Sequence, residues 1–318
     1  MSVHTVEDGI EAYRAMAVSR AIEQECVKLS GLWYPSIGEE AAIIGTFSSA
    51  APGDVLYPHY RGSLVVQWMR GRPLEDIFRV MLHRDGAATK GRHAAPFDGH
   101  AAGQVMPFAS IMLGPNIAMA AGAAWALTQR GQEEIAICAF GDGTAGTGDF
   151  HETLNMAAGL ALPVVFVCQN NQFSISTPAS AALSGTSVAD WAAGYGIPSV
   201  KVDGNDLVSV ADAVGQAVDH TRSERSPSFV ELSTYRRTGH FAADPARYRE
   251  RSDLERAEAA DPIVRFAEHL TAKHGVDADR IAGIDRGAAE LVAEALDTAK
   301  RDRELTAADL DLTGVYDR

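Results

Sequence analysis

The chain has 318 residues, 46% of them hydrophobic and 22% charged, the proportions of a globular protein able to bury a full α/β core. A formal net charge of −14 argues against nucleic acid and anionic membrane as partners. The three cysteines (Cys26, Cys138, Cys168) lack metal-ligand spacing, and two sit inside apolar runs, so they are read as reduced, structural residues of a cytoplasmic protein.

Taken in chain order, the start MSVHTVEDGIEAYRAM is polar and helical, without the apolar segment of a signal peptide, and no membrane span is expected. Helices are predicted over 6–29, 39–50 and 73–83. PHYRG (58–62) lies between the last two. Tyr60 offers a hydroxyl and Arg61 a planar fork suited to phosphate. By itself such a pair is more readily a surface turn. Residues 85–103, rich in Gly and Ala, read as a long surface loop carrying His93 and His100. The apolar stretch SIMLGPNIAMAAGAAW (110–125) leads into a helix over 115–129.

The most informative stretch follows. A strand over 135–140 runs into GDG (Gly141–Gly143), a helix over 149–160, a strand over 163–168, and then Asn170-Asn171. A second surface loop is predicted at 178–187, a strand at 198–202, a helix at 206–223 and a strand at 228–233. TYRRTGHFAADPARYR (234–249) comes next, and beyond Asp244 the chain turns charged and helical, with helices over 262–273 and 281–301. Alternating helices and strands imply an α/β fold, a mostly parallel sheet with helices on both faces. Two units are expected: an α/β domain over 1–250 and a helical C-terminal arm over 251–318.

Asp142 and Asn171 would both sit just past the carboxyl ends of strands, where open α/β sheets bind ligands. Asp142 offers a carboxylate, Asn171 an amide oxygen and Phe173 a backbone carbonyl, an oxygen set that suits Mg²⁺ shared with phosphate. The glycines allow close approach to an anion, and a helix starting near Asp149 would aim free N–H groups at it. A bare GDG is often an ordinary strand-to-helix turn; the Asn pair after a second strand is what favours a ligand site.

In its GDG…NN spacing, PHYRG (58–62), ISTP (175–178), YGIPSVKVDGND (195–206) and TYRRTGH…DPARYR (234–249), the chain resembles the alpha subunit of the first component of 2-oxo acid dehydrogenase complexes, of the branched-chain and pyruvate type. The resemblance runs from about Tyr57 to Arg249 and continues more weakly to the C-terminus. It implies a thiamine-diphosphate-binding fold of the diphosphate-binding type, with thiamine diphosphate and Mg²⁺ as cofactors. The implied metal ligands are Asp142, Asn171 and the Phe173 carbonyl. Tyr60 and Arg61 would grip the diphosphate, with Gly143 and Thr144 beside it. Ile111 and Leu113 would face the aminopyrimidine ring, Leu113 propping the cofactor into its bent shape. His240 would be the catalytic histidine, a residue whose charge can switch near neutral pH. His59 is expected near the pocket, His151 in packing, and His93 and His100 on a solvated loop.

The family activity is oxidative decarboxylation of a 2-oxo acid with acyl transfer to a lipoyl group. The resemblance also implies a beta subunit in an α2β2 heterotetramer, supplying the glutamate that activates the cofactor, and a lipoyl-bearing acyltransferase or other carrier protein. This chain alone is expected to be inactive. It departs from the family in three places. Ser63 stands where pyruvate-specific members carry histidine. Phe241 replaces the regulatory serine after the histidine, with Ala243 two further on, so no kinase control is expected at this loop. Gly114, Pro115 and Asn116 replace the ligands of a structural monovalent cation. Ser63, with ISTP and GYGIPSVKVDGND (194–206), favours the branched-chain type, followed by pyruvate and acetoin dehydrogenases. A homologue passing a two-carbon unit from a ketose phosphate to a carrier protein is kept because SLVVQWMRG and SIMLGPN are unusual. A thiamine-binding scaffold without turnover comes last.

Overall fold

The computed structural model describes residues 3–92, 97–108, 112–185 and 187–309. Its frame is a five-stranded parallel sheet formed by Val55–Tyr57 (β1), Ala136–Gly141 (β2), Val164–Asn170 (β3), Ser199–Asp203 (β6) and Ser228–Ser233 (β7), in the spatial order β1-β2-β3-β7-β6. Phe173–Ser174 (β4) and Thr177–Pro178 (β5) make a small antiparallel ribbon beyond the end of β3. The central strands are buried on both faces, as parallel strands under crossover helices must be. In β2 and β3, Ile137, Ala139, Val165 and Val167 enter one core, while Cys138, Phe140, Phe166 and Cys168 enter the other.

Two helical layers cover these faces. Against the first pack Val6–Leu29 (α1), Glu40–Ser48 (α2), Ser63–Met69 (α3) and Leu74–Met81 (α4). The second is covered by Pro115–Gln129 (α5), the short turn Asp142–Ala145 (α6) and Gly148–Gly159 (α7), with Ala179–Ala182 (α8) near the ribbon and Val188–Ala193 (α9) beside β6. Leu207–Glu224 (α10) returns to the first face. The fold class is as expected, and the four expected strands form within a residue or two of their predicted bounds. β1 is too short to read, and SLVVQWM, β-branched and aromatic, gives no helical signal for α3. The expected loop 178–187 instead contains α8.

Beyond Asp244 come Arg251–Ala259 (α11), Pro262–His274 (α12) and Ala278–Arg301 (α13). Asp261 caps α12 and Asp277 caps α13, each accepting a backbone N–H in the first turn. Phe266 and Leu270 of α12 and Val292 and Leu296 of α13 belong to the same core as α1. Leu270 is fully buried beneath Gly9, where a methyl group would lie 2.9 Å from its Cδ2. Leu270→Ala should cost about 2–5 kcal/mol of unfolding free energy in urea, in one cooperative transition. A separate early transition of the C-terminal helices would show instead that they fold apart from the sheet.

Candidate functional site

Register makes the site. β2 pairs with β3 so that Gly141 stands opposite Gln169, and β3 pairs with β7 so that Asn170 stands opposite Ser233. Three neighbouring chains therefore leave the sheet at one edge. A cavity of about 270 Å³ opens there, lined by Tyr34, His59, Tyr60, Arg61, Phe97, Leu113, Gly141, Asp142, Gly143, Thr144, Asn171, Phe173, Ser174, Ile175 and His240. Of the residues singled out for a cofactor, Tyr60, Arg61, Leu113, Asp142, Gly143, Thr144, Asn171, Phe173 and His240 all line this one space. Ile111 lies outside the described residues, as does His93.

Asp142 is 2% exposed, and its Oδ2 has no hydrogen-bond partner. Burial pushes its carboxyl up to about 6, against the pull of backbone N–H bonds from Asp142 and Asn171 and the charges of Arg236 and Arg61. The Asn171 amide donates from Nδ2 to Glu39 Oε1 at 3.1 Å, while its Oδ1 accepts the Phe173 N–H at 3.3 Å. Asn170 turns the other way, donating to Glu231 at 2.8 Å, and is structural. The turn that follows holds two non-glycine residues at positive φ, Gln172 at 72° and Ile175 at 55°. Such backbone strain persists where surrounding contacts over-determine it. Here Arg236 Nη1 donates to the Phe173 carbonyl at 3.3 Å, and the Arg249 guanidinium lies 5.2 Å from the Phe173 ring.

Gly143 has to be glycine. A methyl group there would sit 2.5 Å from Ser174 Oγ and 3.3 Å from Leu113 Cδ1, closing the gap between the β2 turn and the β4 ribbon. The backbone beside the cavity is the turn at Asp142–Ala145, not the start of α7 near Asp149, which is not among the lining residues. That corrects the expectation of where free N–H groups face the site.

On the opposite wall Arg61 is 2% exposed. It donates from Nη1 to the Pro35 carbonyl at 2.6 Å and from Nη2 to the His240 carbonyl at 3.4 Å, and its Nε lies 3.6 Å from Glu39 Oε1. Tyr60 stacks among Tyr34, His59 and Phe108, at centroid distances of 5.3, 4.1 and 5.4 Å. The His240 ring stands 5.0 Å from Tyr34, and its Nδ1 has no partner. Burial, then Arg61 and Arg236, pull its pKa down to about 4, so the imidazole is neutral at pH 7 in the ligand-free chain. A switch near neutrality, expected from the residue type alone, thus requires an added negative charge. His59 is held lower still, at about 3, by burial and Arg61.

The other histidines among the described residues do not line the cavity. His151 Nδ1 meets the Tyr195 hydroxyl at 2.9 Å and packs on Trp191. His100 pairs its backbone with Val105. Ser63 is buried on α3 and does not line the cavity either. Sequence reasoning missed Tyr34, Glu39, Phe97, Ser174 and Ile175. An acidic pair such as Glu39-Glu40 at a helix start reads as dipole compensation, so nothing in the sequence marks Glu39.

The oxygen donors here suit a hard cation. Among the described residues no group of three or more His, Cys, Asp or Glu is placed to hold a metal. A divalent ion at Asp142 would thus have one charged protein ligand and would rely on ligand oxygens for the rest. Because the Asp142 pKa is raised above its ordinary 3.8, its contribution to stability is present below that value and lost as pH rises through about 6. The stability gain of Asp142→Asn over the unsubstituted, ligand-free chain should grow by about 1–3 kcal/mol between about pH 4 and about pH 7.5. Urea titrations at the two pH values measure this; a constant difference would mean that Asp142 is not desolvated.

The family described as the dehydrogenase E1 component matches residues 9–308. Similar proteins include the pyruvate dehydrogenase E1 component subunit alpha of Rhizobium meliloti, 31% identical over 94% of this chain and 87% of the relative. The 3-methyl-2-oxobutanoate dehydrogenase subunit alpha of Mycobacterium tuberculosis is 34% identical over 81% of this chain and 69% of its own length. The pyruvate dehydrogenase E1 component subunit alpha of Staphylococcus aureus is 32% identical over 85% and 72%.

Proposed function

The chain belongs to the dehydrogenase E1 component family, and from that premise we propose that it is the alpha subunit of a branched-chain 2-oxo acid dehydrogenase, holding the diphosphate end of thiamine diphosphate through Mg²⁺. Membership makes it the alpha subunit of a thiamine-diphosphate-dependent 2-oxo acid dehydrogenase, of pyruvate or branched-chain type. Alpha subunits of this family pair with a beta subunit. The observation that carries the finer reading is the unpartnered, buried Asp142 Oδ2 facing a cavity shared with Asn171, Arg61 and His240.

In this reading Asp142, the Asn171 amide oxygen and the Phe173 carbonyl hold the cation. Arg61 and Tyr60 would hold the diphosphate, with Gly143 and Thr144 lining the same cavity. Leu113 would lie against the rest of the cofactor, with Ile111 two residues before it in sequence. When bound, the cofactor supplies the electron sink for loss of CO₂. His240, neutral in the free chain, becomes a proton carrier once negative charge beside it offsets Arg61 and Arg236. The aromatic and aliphatic walls at Tyr34, Phe97 and Ile175 keep water from the reacting end. The missing activating glutamate would come from the beta subunit in an α2β2 assembly, and the acyl unit would pass to a lipoyl-bearing acyltransferase. We assign residues 1–250 to the cofactor-binding unit, 251–318 to a C-terminal helical arm, and the enzyme to the cytoplasm. No helix among the described residues is long and apolar enough to cross a membrane.

The branched-chain choice rests on Ser63 in place of an imidazole and on the 3-methyl-2-oxobutanoate dehydrogenase relative. The pyruvate reading has support of its own, since the Rhizobium meliloti relative spans more of the chain. Reductive acylation of a lipoyl domain by the chain and its co-purified partner decides between them. It should run fastest with 3-methyl-2-oxobutanoate, and turnover should vanish when the partner is removed. Faster reaction with pyruvate or acetoin would reassign the substrate, and activity of the single chain would end the shared-site reading. Asp142→Ala should abolish Mg²⁺-dependent cofactor binding in calorimetry, because a hard anionic ligand is lost. Unchanged affinity would refute the metal assignment.

A further inference from the structure

Behind the cavity wall lies a carboxylate that no role above uses. Glu39, fully buried at the start of α2, reaches both walls of the site with a single oxygen. Its Oε1 accepts the Asn171 Nδ2–H at 3.1 Å and lies 3.6 Å from Arg61 Nε. Its Oε2 has no partner. The carboxylate therefore does not anchor the fold through many bonds; its contacts are with the two side chains that face the cofactor's charged end.

We infer that Glu39 is a positioning residue for that end: by accepting from Asn171 it turns the amide oxygen toward the metal, and by facing Arg61 it fixes the guanidinium opposite. This rests on the reading of Asp142 and Asn171 as metal ligands. An amide has two faces that differ only in which atom donates. Reversing Asn171 would set its oxygen against the Glu39 carboxylate and its NH₂ against the Phe173 N–H, so both contacts select one orientation. Without Glu39 only the long Phe173 bond would remain to choose.

Glu39 arrives pre-ordered, because the loop before it is tied down at several points. Ser36 Oγ donates to buried Glu23 at 2.9 Å, Pro35 receives Arg61, and the Glu39 N–H donates to the Ser36 carbonyl at 2.9 Å. From the far side, the Ala242 N–H donates to the Trp33 carbonyl at 2.7 Å. The side chain thus projects from a fixed backbone, which a positioning role requires.

The test compares Glu39→Asp and Glu39→Gln in the assembled alpha–beta enzyme, with cofactor binding followed by calorimetry across a Mg²⁺ series. Glu39→Asp keeps the charge but draws the oxygen back by one methylene. It should raise the Mg²⁺ concentration for half-saturation by about tenfold, as for one lost charge-assisted contact. Glu39→Gln keeps an oxygen at the Oε1 position and should stay within about threefold of the unsubstituted enzyme, since the acceptor is retained. Both should keep KM for the 2-oxo acid once metal and cofactor saturate. The opposite order, with Asp harmless and Gln impaired, would show that Glu39 acts only as a charge and would overturn the inference. So would thermal destabilisation of Glu39→Asp with no change in its Mg²⁺ requirement. If the unsubstituted enzyme bound the cofactor without regard to Mg²⁺, the metal reading would fall and this inference with it.

Discussion

The site depends on one buried cation. Arg61 is 2% exposed, and its guanidinium joins three segments far apart in sequence: the loop carrying Pro35 and Glu39, its own PHYRG turn, and the segment after β7 that carries His240. Moving such a group out of water costs several kcal/mol unless hydrogen bonds and an opposite charge offset it. Here two backbone carbonyls and the Glu39 carboxylate do so, incompletely, since Nε makes no hydrogen bond. The same charge sets the electrostatics of its neighbours. It lowers the pKa values of His59 and His240 and opposes the burial that raises those of Glu39 and Asp142.

This wall is assembled at a cost to the ligand-free chain. Asp142 Oδ2, His59 Nδ1, His240 Nδ1, Arg61 Nε and Glu39 Oε2 are all buried without a hydrogen-bond partner, and Gln172 and Ile175 hold strained backbone beside them. Buried polar groups are normally satisfied, so a concentration of orphans around one cavity marks a surface shaped for something else. Whatever binds there and satisfies them stabilises the folded chain by mass action. The surrounding frame supplies the rigidity: central strands buried on both faces, with α12 and α13 sharing the core of α1.

How much of this was legible in the sequence follows from what each part depends on. The β2 and β3 runs are short, apolar and bounded by glycine or proline, so their period and length sufficed, and Asp142 and Asn171 could be placed by counting to the ends of two strands. Tyr60, Arg61 and His240 needed the motif context, because a lone Tyr-Arg or histidine has a bland alternative. Tyr34, Glu39 and Phe97 could not be found, since they meet the others only through tertiary contacts. Nor does local sequence fix the direction of a side chain: Asn170 and Asn171 are adjacent and both amides, yet one serves Glu231 on the neighbouring strand β7 and the other faces the cavity.

A chain with a net charge of −14 is an odd host for a pyrophosphate if only its overall field is considered. At physiological ionic strength, however, exposed charges more than about 8 Å apart are largely screened, while buried ones are not. The acidic excess lies mostly on the solvated surface, whereas the cavity is backed by Arg61 and Arg236, both nearly inaccessible to solvent. The Asp142 and Glu39 carboxyls beside them are raised to about 6 and about 7, so part of their negative charge is withheld near neutral pH. A divalent cation that drew the proton off Asp142 and the anion accompanying it would, in the proposed reading, enter together more readily than either alone. In the proposed reading, the coupling between metal and diphosphate is a property of these buried charges, and the surface around them decides only what is kept away.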